Sequence, residues 1–110
     1  MYGLIIDEVQ MCERLAKLEE KFIMCCVNYI VRRSGCYLYS DIIENLARAD
    51  VAPMITEIHR MLCSHFIMSH MDILHIYNTY FICNSGICNE FNIEAIVKGI
   101  DTYYWIMYVL

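Results

Sequence analysis

Four histidines within a short stretch are the first residues whose types could do chemistry: His59, His65, His70 and His75. Their spacings are six, five and five residues, whereas residues on one helical face recur every three or four. Zinc sites also use compact anchors such as CxxC or HExxH, and the sequence contains neither. We therefore expect surface or core-edge imidazoles, and predict no metal and no cofactor.

Nucleophilic catalysis requires a cysteine or serine beside an oriented base. Cys63 lies four residues after His59, a spacing that allows contact on one helix. No residue pattern supplies a third member, an oxyanion hole or a glycine-rich phosphate loop. The sequence therefore predicts that the chain is not an enzyme and has no catalytic residues.

Seven cysteines are many for a chain of 110 residues. The number is odd and the N-terminus does not resemble an export signal, which favours reduced thiols over a disulfide framework. Cys25 and Cys26 are adjacent, and Cys83 and Cys88 are five residues apart. We expect most of these residues to be buried as small hydrophobic side chains.

The overall composition excludes several classes of protein. Hydrophobic residues make up 59% of the chain, and 8 basic against 13 acidic residues give a net charge of −5. A chain with so few basic residues is not expected to bind nucleic acid, and one with so many apolar residues is not expected to be disordered. The length fits a single domain, residues 1–110.

The apolar excess is not arranged as a membrane span. The longest stretch without charge, Ile73 to Asn89, contains several polar side chains. We therefore expect an intracellular chain without a transmembrane anchor. Its surplus apolar surface is expected to be covered by another copy, in a homodimer formed through the last helix or the edge of a groove, or by a partner.

Helical periodicity runs along the whole chain. The spacing predicts a first helix over 4–33, with Arg32 and Arg33 at its negative end and Gly35 as its left-handed cap. A second helix is expected after Ser40 or Asp41, with Glu44 completing a capping box.

Three more helices are expected after Pro53. The third runs from about Met54 to Met68, and the fourth begins at a Ser69 cap and extends to Cys83. The fifth starts near Asn89 or Asn92, and Gly99 within it is expected to allow close approach of another helix.

Charge is almost missing from the middle of the chain. Between Met61 and Cys88 the only formally charged residue is Asp72. A helix that is apolar on nearly every side is usually surrounded by other helices. The sequence therefore predicts an all-α fold, a compact helical bundle around a buried central fourth helix.

The order of these elements resembles the Bcl-2 family, especially its short viral members. Phe22 to Tyr37 is similar to the family's N-terminal helix and the turn that ends it, and Ile43, Leu46, Ala47 and Asp50 resemble its third homology motif. Where the family has Asn-Trp-Gly-Arg, this chain has Ser69 to Asp72. The pairing role of the family's arginine would then pass to Arg48, Arg60 or a protonated histidine.

The resemblance implies an inhibitor of apoptosis in the host cytoplasm, associated with the mitochondrial surface. Its partners would be pro-apoptotic proteins of the Bim or Bak type, whose amphipathic death-motif helix binds in an apolar groove. The residues expected to line that groove are Ile43, Leu46, Arg48, Ile58, Met61, Leu62, His65, Met68 and Tyr77. The alternative is a viral immune-signalling decoy on the same scaffold, which acts through protein contacts without a functional groove.

Overall fold

The computed structural model describes the backbone of residues 2–85 and 87–109 and the side chains of residues 13–85, 87 and 90–103. Within these ranges the elements are α1 (Tyr2–Ser34), α2 (Tyr39–Arg48), α3 (Val51–Ser64), α4 (His70–Tyr80), β1 (Phe81–Asn84), β2 (Ile87–Phe91) and α5 (Ile93–Val109). The predicted all-α class is confirmed, with one small hairpin added to it.

The helix at the centre of the packing is α1, which contacts each of the other four helices. Its side chains Phe22 and Ile23 have no exposed surface, and Cys26 and Ile30 are also buried. The prediction that α4 is the buried centre is wrong, because Met71 and Leu74 of α4 are 70% and 44% exposed. A low density of charge does not by itself indicate burial, since uncharged side chains also occur on protein surfaces.

The end of α1 follows the predicted pattern. Arg32 and Arg33 occupy the last turn, and Gly35 adopts the left-handed conformation with φ of 71°. The Gly35 amide donates to the carbonyl of Val31 at 2.8 Å, which satisfies one of the free carbonyls at the helix end.

The start of α2 differs from the prediction. The helix begins at Tyr39, its N-cap is Leu38, and no side chain caps it. The expected capping box of Asp41 and Glu44 is therefore wrong, because Asp41 already lies in the first turn. There its charge favours the positive helix end.

The third helix begins and ends earlier than predicted. It starts at Val51, so Pro53 occupies its third position, where the amide has no partner within the helix. It ends at Ser64 instead of Met68. The Met68 amide instead donates to the carbonyl of Leu62 at 3.1 Å, closing the connection to α4.

The start of α4 is built as predicted. The Ser69 side chain accepts from the Asp72 amide, and the Asp72 carboxylate accepts from the Ser69 amide, which forms a capping box. The same carboxylate is paired with the guanidinium of Arg14 on α1. Just before the cap, Ile67 has φ of 51°, a conformation that disfavours a β-branched residue.

A hairpin replaces the predicted last turn of α4. The antiparallel strands pair Phe81 with Phe91, and the Cα partner of Cys83 is Cys88. Cys83 is disulfide-bonded, so the preference for reduced thiols is wrong at this residue, whereas Cys25, Cys26, Cys36 and Cys63 are free thiols as expected. Aromatic and β-branched residues favour strands, and the packing of Phe81 on Phe22 of α1 stabilises the hairpin in place of a helical turn.

The last helix is positioned by Asn92 and Gly99. The Asn92 side-chain oxygen accepts from the Ala95 amide at 3.3 Å, which makes Asn92 the helix cap. A Cβ on Gly99 would lie 2.5 Å from Cδ1 of Ile23, so the prediction of close approach at this glycine is confirmed. In the part of the chain that the structure describes, no helix is long and apolar enough to cross a membrane.

Candidate functional site

Four of the nine residues predicted to line a groove are core residues. Leu46, Ile58, Leu62 and Met68 are at most 8% exposed. Each belongs to an amphipathic helix or its connection and packs inward with the hydrophobic cluster around α1. A ligand would have to displace these side chains to reach them, so they do not form an open groove in this conformation.

Three other predicted residues have different surroundings. Ile43 is partly buried against the core, and Tyr77 contacts His59 on α3, with 2.7 Å between the phenol oxygen and Nδ1. Arg48 is exposed beside a cleft of about 400 Å³ that Arg33 also lines. Arg48 is already paired with Glu44 at 2.9 Å, which partly neutralises its charge.

The remaining two predicted residues, Met61 and His65, line one surface cleft together. The cleft has a volume of about 380 Å³ and lies between α1 and the C-terminal end of α3. We call it the α1/α3 cleft, and its lining residues are Met24, Cys25, Asn28, Arg32, Met61, His65 and Phe66.

The floor of the α1/α3 cleft is apolar and rich in sulfur. Met24, Met61 and Phe66 are partly buried, and Cys25 is 3% exposed. Burial raises the pKa of the Cys25 thiol to about 11, so the thiol is neutral at physiological pH. Methionine adapts its shape easily, and a floor of this kind suits an irregular apolar surface.

The rim of the cleft is polar, and its cation is unpaired. Asn28, Arg32 and His65 are all exposed. The neighbouring Arg33 lies 3.6 Å from Glu57 and over the ring of Tyr29, whereas Arg32 makes no ion pair with any described residue. The α1/α3 cleft therefore combines apolar pockets with a free guanidinium that can bind a carboxylate.

Sequence reasoning missed the contribution of α1 to this cleft. Met24, Asn28 and Arg32 follow one another at intervals of four, which places them along one face of α1. The helical spacing of the apolar residues of α1 could have shown that these three residues share its other, less buried face.

The two residues considered for catalysis lie near the same phenol. Burial raises the pKa of Tyr77, and the nearby Cys63 raises it further. His59 contacts Tyr77, and Nε2 of His75 lies 3.5 Å from the carboxylate of Glu19. Cys63 is an exposed free thiol. Among the residues that the structure describes, no group of three or more metal-binding side chains lies close enough to hold an ion.

Comparison with known proteins adds nothing to this geometry: no family model, curated protein or solved structure matches the chain.

Proposed function

We propose that this chain is a protein-binding module whose α1/α3 cleft holds an amphipathic helix of a partner. One observation supports this most strongly: an apolar floor of Met24, Met61 and Phe66 lies beside the guanidinium of Arg32, which forms no ion pair with the side chains that the structure describes. Recognition of a helix in a groove uses this combination, with apolar anchors for affinity and a polar contact for orientation.

The dimensions of the cleft limit how much of a helix it can hold. From Met24 to Arg32, α1 advances by eight residues, or about 12 Å at the usual helical rise. Two turns of a partner helix have this length and carry anchors at i, i+4 and i+7. We expect two apolar anchors over the floor and an acidic residue opposite Arg32.

The partner class follows from the resemblance to the Bcl-2 family. Death-motif helices of pro-apoptotic proteins combine apolar anchors with an acid, which fits the floor and rim of the cleft. In this proposal the chain sequesters such helices and inhibits apoptosis in the host cytoplasm. Binding would use a surface between α1 and α3, because Leu62 and Met68 of the expected groove are buried.

A second candidate function is favoured by the same burial. A scaffold whose core groove is filled could still block immune signalling through external protein contacts. The exposed Ile67, Met71 and Leu74 offer surface for such contacts. This candidate requires no death-motif ligand, which separates it from the first.

Calorimetric titration with a panel of death-motif peptides tests the first function. We expect binding by the wild type and about ten-fold weaker binding by Arg32→Glu, because charge reversal opposes the peptide's acid. Arg60→Glu is the matched control, since Arg60, one of the pairing residues that the resemblance implies, is an exposed arginine of α3 that does not line the cleft. It should bind like the wild type.

Two results separate the candidates. If no peptide binds to the folded protein, the death-motif function is wrong, and suppression of an inflammatory reporter in cells then tests the decoy. If peptides bind equally to the wild type and to Arg32→Glu, the partner binds somewhere other than the α1/α3 cleft.

A further inference from the structure

An exposed isoleucine lies at the tip of the α3–α4 connection. Ile67 is 85% exposed and has φ of 51°. The residues on both sides of it are fixed: Phe66 packs against the core, and Met68 is buried and bonded through its amide to Leu62. An aliphatic side chain is thus held out into solvent by a rigid turn, in a conformation that costs energy. Strain of this kind often marks a functional position.

Basic residues of α1 lie beside this tip. Arg14 is paired with Asp72, which follows the 70% exposed Met71, and the Lys21 ammonium lies 5.4 Å from the ring centre of Phe66, which precedes Ile67. Lys17 lines the same cleft as Arg14 and Lys21. These contacts bring a basic stripe of α1 next to the exposed Ile67 of the α3–α4 connection and Met71 of α4.

The charge of this surface is opposite to that of the whole chain. Arg14, Lys17 and Lys21 are three of the eight basic residues in a chain with a net charge of −5. Glu13 shares the lining of their cleft and reduces the local excess, and Asp72 neutralises part of the charge of Arg14. Lys17 and Lys21 make no ion pair with any residue that the structure describes, and Lys21 lies next to the α3–α4 connection, over the ring of Phe66.

We propose that this surface, Arg14, Lys17, Lys21, Ile67 and Met71, binds peripherally to an anionic lipid bilayer. Peripheral membrane proteins combine inserted apolar side chains with cations that contact anionic headgroups. The charge of the stripe is complementary to the headgroups. The protruding Ile67 fits a deformable planar interface better than the surface of a folded acidic protein, which would need a matching pocket.

Substitution at Ile67 separates membrane binding from folding. Glycine adopts positive φ without strain, so Ile67→Gly should fold at least as stably as the wild type while removing the inserted side chain. We expect its binding to vesicles of phosphatidylserine and phosphatidylcholine to weaken about ten-fold or more in a co-sedimentation assay. Its urea unfolding midpoint should be equal to or higher than that of the wild type.

Substitution of one cation tests the electrostatic part. Lys17→Gln should weaken vesicle binding about five-fold, the usual contribution of one lysine near an anionic surface. Arg60→Gln, on an exposed position of α3, is the control and should bind like the wild type. Added salt should reduce binding, and vesicles of phosphatidylcholine alone should bind little protein.

Three results would overturn the membrane assignment. They are no binding to anionic vesicles, equal binding to neutral and anionic vesicles, and unchanged binding by Ile67→Gly. Capture of poly-glutamate without binding to vesicles would assign the surface to an acidic protein segment and would likewise overturn it.

Discussion

Replacing Gly99 with alanine tests how closely α1 and α5 approach each other. The new Cβ would lie 2.5 Å from Cδ1 and 2.9 Å from Cγ1 of Ile23, and 3.6 Å from the ring of Tyr80. Carbon atoms in packed interiors prefer separations of about 3.5–4.0 Å. Ile23 has no exposed surface, so it cannot move away without displacing other core side chains.

Two effects of opposite sign determine the result. Alanine favours a helix over glycine by about 1 kcal/mol, which would stabilise the variant. Overpacking a core typically costs about 1–3 kcal/mol. We therefore expect Gly99→Ala to lower the free energy of unfolding by up to about 2 kcal/mol, measured by urea denaturation with an unchanged m-value.

A double variant identifies the contact responsible. Ile23→Val removes Cδ1, the nearer of the two clashing atoms, and costs about 0.5–1.5 kcal/mol alone. The double variant lacks the closer of these two contacts. Its loss of unfolding free energy should therefore be smaller than the sum of the two single losses by about 1 kcal/mol. Gly35→Ala is the control: its site has a positive φ but no atom within 4 Å, so it should lose stability without coupling to Ile23.

The opposite outcome would refute this reasoning. If Gly99→Ala raises the free energy of unfolding by the full helix-propensity gain, the two helices do not meet at this glycine. Additive losses in the double variant, within about 0.5 kcal/mol, would show that Ile23 is not the neighbour that opposes the new methyl group.

Three further changes test local chemistry. Burial acts to raise the pKa of Asp72, but hydrogen bonds with Ser69 and the charge of Arg14 outweigh it and lower the pKa. The stability that the ionised carboxylate contributes is complete above about pH 4 and is lost as the pH falls through the lowered pKa. The free energy of unfolding in urea should therefore depend more on acid pH in the wild type than in Asp72→Asn, and equal pH profiles would contradict this. A maleimide should label the exposed Cys63 well before Cys25, because burial raises the pKa of the Cys25 thiol to about 11. Labelling in the reverse order, followed by mass spectrometry, would be inconsistent with the fold. Because Cys83 is disulfide-bonded, Cys83→Ser should lower the free energy of unfolding in urea by about 2–4 kcal/mol, the usual contribution of a disulfide. Reductant should cost the wild type the same amount and leave the variant unchanged, and stability unaffected by either would argue against the cross-link.

Signals confined to a few neighbouring residues predicted several helix ends, although the expected capping box of Asp41 and Glu44 does not form. The cap at Gly35, the capping box of Ser69 with Asp72 and the cap at Asn92 each depend on a backbone group within a few positions. The close approach at Gly99 was also predicted, although its partner Ile23 was not. A glycine retained within a helix indicates that space is limited there, but the sequence does not show which helix limits it.

Features that depend on distant packing were not predicted. The hairpin around Phe81 and Phe91 is stabilised by packing on Phe22, whose ring centre lies 5.7 Å from that of Phe81, and periodicity along the chain does not report this contact. The burial of four of the expected groove residues was not predicted for the same reason. The spacing of apolar residues such as Leu46 and Leu62 is the same whether they line a groove or pack in the core. Only their position relative to α1 shows that they are core residues.

The two proposed surfaces lie along one helix face. Residues 14, 17, 21, 24, 28 and 32 follow one another at intervals of three and four, so the basic stripe and the α1/α3 cleft form a continuous band about 27 Å long. Phe66 joins them, because it lines the cleft and also lies under the Lys21 ammonium. A partner helix longer than two turns would therefore extend from the cleft onto the stripe and compete with lipid for Lys21. If both proposals hold, anionic vesicles should weaken the binding of a long death-motif peptide more than that of a two-turn peptide, and equal effects on both would show that the surfaces act independently.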